Sequence, residues 1–255
     1  MFNCWRWYSG FNNCVLLIES RQENYFSRRW LYRKWRNRQN NSASYWVLDE
    51  RYFELEKLFG TEKTMLAANS HLEAIQFIEN TVNLENIDCN FKRVPGYLFL
   101  SSNDNKDTLD KEYEATKNAQ LLTEMLAQVS SLEAEDGKSC IKFPEQGQMH
   151  ILKYLKGLTD GIVRMGGKIY TETKAESISK EGAKANKFQI KAQHIVVATN
   201  TPFNDFVVMH TKQWAYRSYV IGARIPKGTL PYGLWWDTGD QDSKWLGARY
   251  HPGDN

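Results

Sequence analysis

Arg217 stands between Tyr216 and Tyr219 in a strand-like stretch, with Trp235 and Trp236 further on in a second one. A guanidinium offers two parallel donors to a carboxylate, so Arg217 and Tyr219 are candidate substrate contacts. The competing reading is an exposed strand arginine beside core aromatics, which is the commoner role. A second candidate is the apolar run His194-Ile195-Val196-Val197-Ala198, which leads into Thr199 and Asn200. Backbone and short side chains at such an exit can approach a bound nucleotide, and an ordinary strand-to-turn passage fits equally well. His150, His194 and His210 lack the spacing of a histidine metal site. Cys4, Cys14, Cys89 and Cys140 form no CxxC pair, so neither a zinc site nor a disulfide framework is indicated. No general acid or base stands out.

The elements that would carry these residues begin at Val47. Met65, Leu66, Leu72, Ile75, Ile78 and Val82 recur at three- and four-residue steps, which predicts an amphipathic helix from Glu62 to about Asn83. Arg93–Leu100 reads as a strand. Thr108–Ala134, rich in Glu, Lys, Ala and Leu, reads as one long helix, and a short strand at Ile141–Phe143 closes at Pro144. A βαβ-like passage follows. His150–Arg164 is helical with Leu152, Leu155, Leu158 and Ile162 on one face, and Gly166-Gly167 ends it. Lys168–Thr171 is a strand, followed by a charged hairpin to Ile190. The run 194–198 has the composition of a buried strand. Beyond Pro202 the pattern becomes antiparallel, with strands at Tyr216–Ala223, Gly233–Trp236 and Trp245–Tyr250.

The net charge of +3 over 255 residues conceals a split. Residues 1–46 hold eight Arg or Lys against two Glu, and five of the nine tryptophans. A break this sharp marks a boundary. No apolar run approaches the ~18–20 residues of a membrane span, and Arg6 with Asn12-Asn13 interrupts any secretory signal. The expectation is a soluble protein of a reducing cytoplasm.

The strings LDERYFELEKLFG, FKRVPGYLFL, IKFPEQGQMHILKYLKGL, GGKIYTET, HIVVATNTPFND and KQWAYRSYVIGARIP occur in this order. Together they resemble the FAD-dependent oxidoreductases that include glycine oxidase and D-amino-acid oxidase, over nearly all of 47–255. The resemblance implies an α/β fold: a Rossmann-like FAD-binding domain, here incomplete, and an antiparallel-sheet substrate domain. It assigns 47–90 and 144–204 to the FAD side, and 91–143 and 205–255 to the substrate side. It puts backbone at Ala175 against the adenine, and Ala198, Thr199 and Asn200 at the end of the last FAD-domain strand. It implies FAD as cofactor and a small-molecule amine or amino acid as substrate. Family members also continue past the position of Asn255, some into an iron–sulfur domain.

One departure concerns the diphosphate. The family opens with a strand, a GxGxxG turn and a helix, whose glycines and free N–H groups cradle the pyrophosphate. Residues 1–46 show Trp and Arg instead, so this stretch is expected to lie outside the fold. Tryptophan has a single codon, TGG, and reading one base later turns it into glycine whatever follows. Trp5, Trp7, Trp30 and Trp35 thus all become glycine, and the Gly10-Phe11 junction permits a third member of the turn. The spacing 5, 7, 10 is G-x-G-x-x-G. The expectation is that residues about 4–45 are a frameshifted translation of an FAD-binding βαβ unit, with the original frame restored near Trp46.

Two other readings stay open. Taken at face value, Arg28, Arg29, Arg33, Lys34, Arg36 and Arg38, interleaved with Trp30, Tyr32 and Trp35, form a basic aromatic arm suited to single-stranded nucleic acid. Alternatively, the chain is a non-functional flavoenzyme fragment.

Overall fold

In chain order the computed structural model holds β1 (Cys14–Ile18), β2 (Asn24–Arg28), β3 (Ala43–Ser44), α1 (Tyr52–Phe59), α2 (Thr61–Leu84), β4 (Lys92–Phe99), α3 (Lys106–Asn118), β5 (Glu124–Leu126) and β6 (Cys140–Gln148). There follow α4 (Ile151–Arg164), β7 (Lys168–Thr171), β8 (Ala175–Ser179), β9 (Gly182–Ala185), β10 (Phe188–Ile190), β11 (His194–Ala198), β12 (Leu234–Asp237) and β13 (Gly247–Arg249). The structure describes residues 50–101, 104–127, 139–171, 173–179, 182–192, 194–198, 226 and 232–239, and the backbone of β1, β2, β3 and β13. The fold is mixed α/β. It divides into two compact units, Asn41–Ile151 with Gly222–Asn255, and Met1–Asn40 with Leu152–Ile221.

The first unit is a six-stranded sheet, order β13-β12-β4-β6-β3 with β5 also on β6, and helices α1, α2 and α3. Period-two alternation sends Val94 and Leu98 of β4, Ile141 and Phe143 of β6, and Leu234 and Trp236 of β12 to one face. There they meet Tyr52, Ala68, Ile75, Leu109 and Ala115 from the helices. Each fully buried large side chain contributes roughly 1.5–3 kcal/mol relative to exposure. Helix α2 matches its predicted span within a residue at each end. It follows α1 directly through Gly60, whose positive φ of 82° lets the chain turn without a Cβ penalty. Residues 52–84, expected on the flavin side, pack in this unit.

Three expectations are corrected here. The long helix stops at Asn118 instead of Ala134, because Gln120 adopts a positive φ of 59° and Leu121 and Thr123 turn inward. The Thr123 and Thr116 hydroxyls then share a buried hydrogen bond of 2.9 Å, and Lys117 Nζ donates to the Thr123 carbonyl. Strand β6 does not close at Pro144 but runs to Gln148. Gly96 faces Phe143 while Val94 faces Gln146, so Pro144 and Glu145 oppose Pro95 in a bulge. A bulge is where a residue without an N–H costs the ladder nothing. Finally, β12 pairs antiparallel with β13 but parallel with β4, so the last part of the chain is not wholly antiparallel. The predicted strand Tyr216–Ala223 lies outside the described residues.

Arg93 ties α2 to the bulge. Its guanidinium donates to Glu79 Oε2 at 2.6 and 3.1 Å, to Gln76 Oε1 at 3.2 Å and to the carbonyl of Glu145 at 2.8 Å. Glu145 itself has a positive φ of 63°.

In the second unit α4 buries Tyr154, Leu155, Leu158 and Gly161, so the predicted face is right with Tyr154 added. It ends in a Schellman motif: Gly167 N–H donates to the Ile162 carbonyl, Gly166 N–H to that of Val163, and Gly166 has φ of 86°. Strand β7 stands where predicted. The charged hairpin is a three-stranded meander, β10-β9-β8, because Asn186 at φ of 53° supplies a second tight turn. The four-stranded sheet has the order β11-β1-β2-β7. It draws β1 and β2 from the stretch expected to stand outside the fold, and pairs β2 parallel to β7. Within the run 194–198, whose composition predicted a buried strand, Val196 and Val197 are 42% and 38% exposed. Among the described residues of this unit α4 is the one helix, whereas a doubly covered strand needs a layer on each face.

Candidate functional site

The face of the six-stranded sheet turned away from the helical core is the part of the described chain where polar and aromatic groups gather. Register fixes its first row: Trp235 of β12 lies beside Tyr97 of β4, Tyr97 opposite Lys142 of β6, and Lys142 opposite Glu124 of β5. A second row runs Asp237, Phe99, Cys140, Leu126. Tyr97 and Trp235 stack, with ring centroids 4.1 Å apart and planes 15° from parallel. Gly233 makes room for this pair, since a Cβ there would come within 2.9 Å of the Tyr97 ring.

Electrostatics differ along the row. Burial raises the Tyr97 phenol above its usual range, and the nearby Lys142 ammonium opposes this in part. Lys142 Nζ bonds Glu124 Oε2 at 3.0 Å, a half-exposed pair worth little by itself. Burial pushes the Cys140 thiol up to about 11, which keeps it protonated and a poor nucleophile. Trp235 is 4% exposed, and its indole N–H has no hydrogen-bond partner among the described residues. A buried donor left unpaired costs on the order of 1–3 kcal/mol, so it calls for an explanation.

The sequence pointed to Trp235 and missed Tyr97 and Lys142. The signal was present, because alternation in RVPGYLFL puts Tyr97 on the opposite face from Val94 and Leu98. Of the other predicted residues, Ala175 opens β8 and pairs with Ala185. It packs, with Ile195 of β11, around the buried Ala183. Ala198 ends β11 beside Cys14. The meander thus meets β11 at Ile195, near its start. Thr199, Asn200, Arg217 and Tyr219 lie outside the described residues. His150 is exposed and its N–H donates to the Cys89 carbonyl at 2.7 Å.

A dinucleotide's diphosphate needs free N–H groups at a glycine turn that leads from a strand into a helix. None of the four described helix starts fits. The Phe53 N–H at the start of α1 is taken by Glu112 Oε2 at 3.2 Å. Helix α2 follows α1 through one glycine, α3 is capped by the Asn105 side chain, and α4 follows Met149-His150. Among the described residues, no group of His, Cys, Asp and Glu could hold a metal ion, and no helix is long and apolar enough to cross a membrane.

Comparison with known proteins gives the architecture its context. The chain is 28% identical over 189 residues to a Bacillus subtilis protein named as a Rieske 2Fe-2S iron–sulfur protein, YhfW, covering 72% of this chain and 36% of that one. It is 26% identical over 157 residues to OrdL of Haemophilus influenzae, named as an oxidoreductase, covering 58% and 36%. The chain therefore spans about a third of the length of the curated relatives it matches. Among solved structures, glycine oxidase from Geobacillus kaustophilus superposes with a TM-score of 0.43 at 16% identity, over 51% of this chain and 38% of that one. Residues 25–242 match the family described as FAD dependent oxidoreductase (DAO), a match that begins inside the basic N-terminal stretch and takes in both compact units. The chain belongs to that family of FAD-dependent oxidoreductases.

Proposed function

We propose that this chain derives from an enzyme that oxidises the C–N bond of a small amine or amino acid. FAD, when bound, supplies the acceptor for the hydride that leaves the carbon beside nitrogen. The chain's own part is to hold the substrate in an apolar setting and exclude water. The aromatic face of the six-stranded sheet suits that task. In this reading 91–143 and 205–255 form the substrate side, while 47–90 and 144–204, with Ala175, Ala198, Thr199 and Asn200, form the nucleotide side. Arg217 and Tyr219 join the substrate contacts.

The observation that carries the reading is the family match over 25–242, set beside glycines that the shifted register forces at positions 5 and 7. The misfit of the described helix starts to a diphosphate follows directly if the cradle is hidden in the slipped frame. The coding DNA for residues 4–46 tests this. Codons that spell G-x-G-x-x-G one base later support it, and a polypeptide rebuilt in that frame should copurify with flavin absorbance. Codons that cannot give glycine at position 10, or a rebuilt chain that stays colourless in excess FAD, would overturn it.

A further inference from the structure

We propose that Glu112 and Arg51 form a proton-operated latch on the end of β12. With Glu112 protonated, Arg51 holds that end through the Asp237 carbonyl. With Glu112 ionised, Arg51 turns to the carboxylate and lets the end go.

The start of α1 carries the geometry. This helix begins without a cap of its own, since the Arg51 side chain makes no capping bond. Glu112, reaching over from α3, accepts the Phe53 N–H instead at 3.2 Å. Its carboxyl is fully buried, and Oε1 has no hydrogen-bond partner among the described residues. Neither protonation state is therefore satisfied as it stands. A neutral carboxyl leaves its O–H without an acceptor, and an ionised one leaves a buried charge unpaired. Burial raises this carboxyl above the ordinary 4.5, while the Tyr52 and Phe53 N–H groups and the Arg51 guanidinium pull the other way.

Arg51 is the group that can resolve the conflict. Among the described residues its guanidinium donates once, from Nη2 to the Asp237 carbonyl at 3.0 Å. Its remaining donors suit a carboxylate better than a neutral carbonyl. The other charged groups on the elements packed against α3 are engaged elsewhere. Glu54 of α1 pairs with Lys57, and Glu56 accepts from Thr61 and Asn118. Glu79 of α2 is held by Arg93, and Lys142 of β6 faces the far side of the sheet with Glu124.

What the latch holds is the turn that leaves β12. The Asp237 side chain accepts the Gly239 N–H. Thr238 donates its N–H to the Phe99 carbonyl and accepts the Ser101 N–H on Oγ1. Arg51 adds the tie from this turn to the helices. When it leaves, the turn keeps its bonds to the end of β4 and loses the one to α1, so a single buried proton sets how firmly β12 is terminated.

Hydrogen-exchange mass spectrometry of the intact chain tests this, with rates corrected for the intrinsic effect of pH. As pH rises from 4.5 through the raised value, residues 237–239 should exchange about tenfold faster, the loss of one hydrogen bond. Exchange in β6 should change far less, which separates release of the latch from general loosening. Glu112→Gln keeps an acceptor for Phe53 but carries no charge, and should remove the pH step with the turn held. Arg51→Met should leave the turn fast-exchanging at every pH. A parent without the step, a step that survives in Glu112→Gln, or slow exchange in Arg51→Met would overturn the proposal. Should Glu112→Gln fail to fold, the parent and Arg51→Met decide it between them. The measurement needs no flavin, so it stands or falls apart from the oxidase reading.

Discussion

The six-membered ring of Trp236 lies directly over the hydrogen side of Gly96, where a Cβ would stand 2.6 Å from Cη2 and 2.7 Å from Cζ3. One strand is thus pinned to its parallel neighbour by the absence of a side chain. Gly96→Ala should destabilise the first unit by about 1–3 kcal/mol through overpacking, read as a lower urea midpoint with the m-value unchanged. Trp236→Leu combined with Gly96→Ala should recover part of the loss, because the added methyl then meets a smaller neighbour.

Glu112 gives a pH-dependent signature. It is fully buried on α3 and accepts the Phe53 N–H, and its Oε1 has no hydrogen-bond partner among the described residues. Burial raises its carboxyl above the ordinary 4.5, against the lowering by the N–H groups of Tyr52 and Phe53 and by Arg51. The folded state then holds this proton where the unfolded chain has released it. Stability from this group is full below the unfolded value and is lost as pH rises through the raised folded value. Glu112→Gln keeps an acceptor for Phe53 and removes the charge. Its stability relative to the parent should rise with pH across that window in parallel denaturant titrations, and a flat difference would contradict the assignment.

Arg93 should be irreplaceable by lysine. Its planar fork meets Glu79, Gln76 and the Glu145 carbonyl together, a geometry that an ammonium does not match. Arg93→Ala should cost on the order of 1.5–3 kcal/mol, the range for charge-assisted hydrogen bonds, and Arg93→Lys should recover less than half of it in thermal unfolding.

Cys140 and Cys89 should resist alkylation in the folded chain. Both are buried, and the Cys140 thiol at about 11 carries little thiolate at neutral pH. Iodoacetamide labelling followed by mass spectrometry should find both positions unmodified until urea unfolds the sheet, whereas early labelling of Cys140 would show that the aromatic face opens readily.

How much was readable beforehand depended on whether the signal was local. Helix α2 and the end of α4 were legible, since three- and four-residue spacing and the Gly166-Gly167 pair act within one element. Helix α3 was overextended because Leu121–Ala134 keeps a helix-forming composition, while the turn at Gln120 is decided by tertiary burial of Leu121 and Thr123. Pro144 misled for a related reason. Its effect depends on Pro95 in the facing strand, which no single segment reveals. The aromatic row was only half visible for the same cause, as the Tyr97–Trp235 pair joins residues far apart in the chain.

That separation governs how the molecule can be made. Strand β4 emerges early in synthesis, yet its neighbour on one side is β12, which pairs Leu234–Asp237 with Gly96–Phe99. Until those late residues leave the ribosome, the edge of β4 stays an unpaired template and the inner face of Leu98 lacks its cover from Leu234 and Trp236. A nascent chain arrested before Gly233 would therefore be a ready client for chaperones and a substrate for proteases.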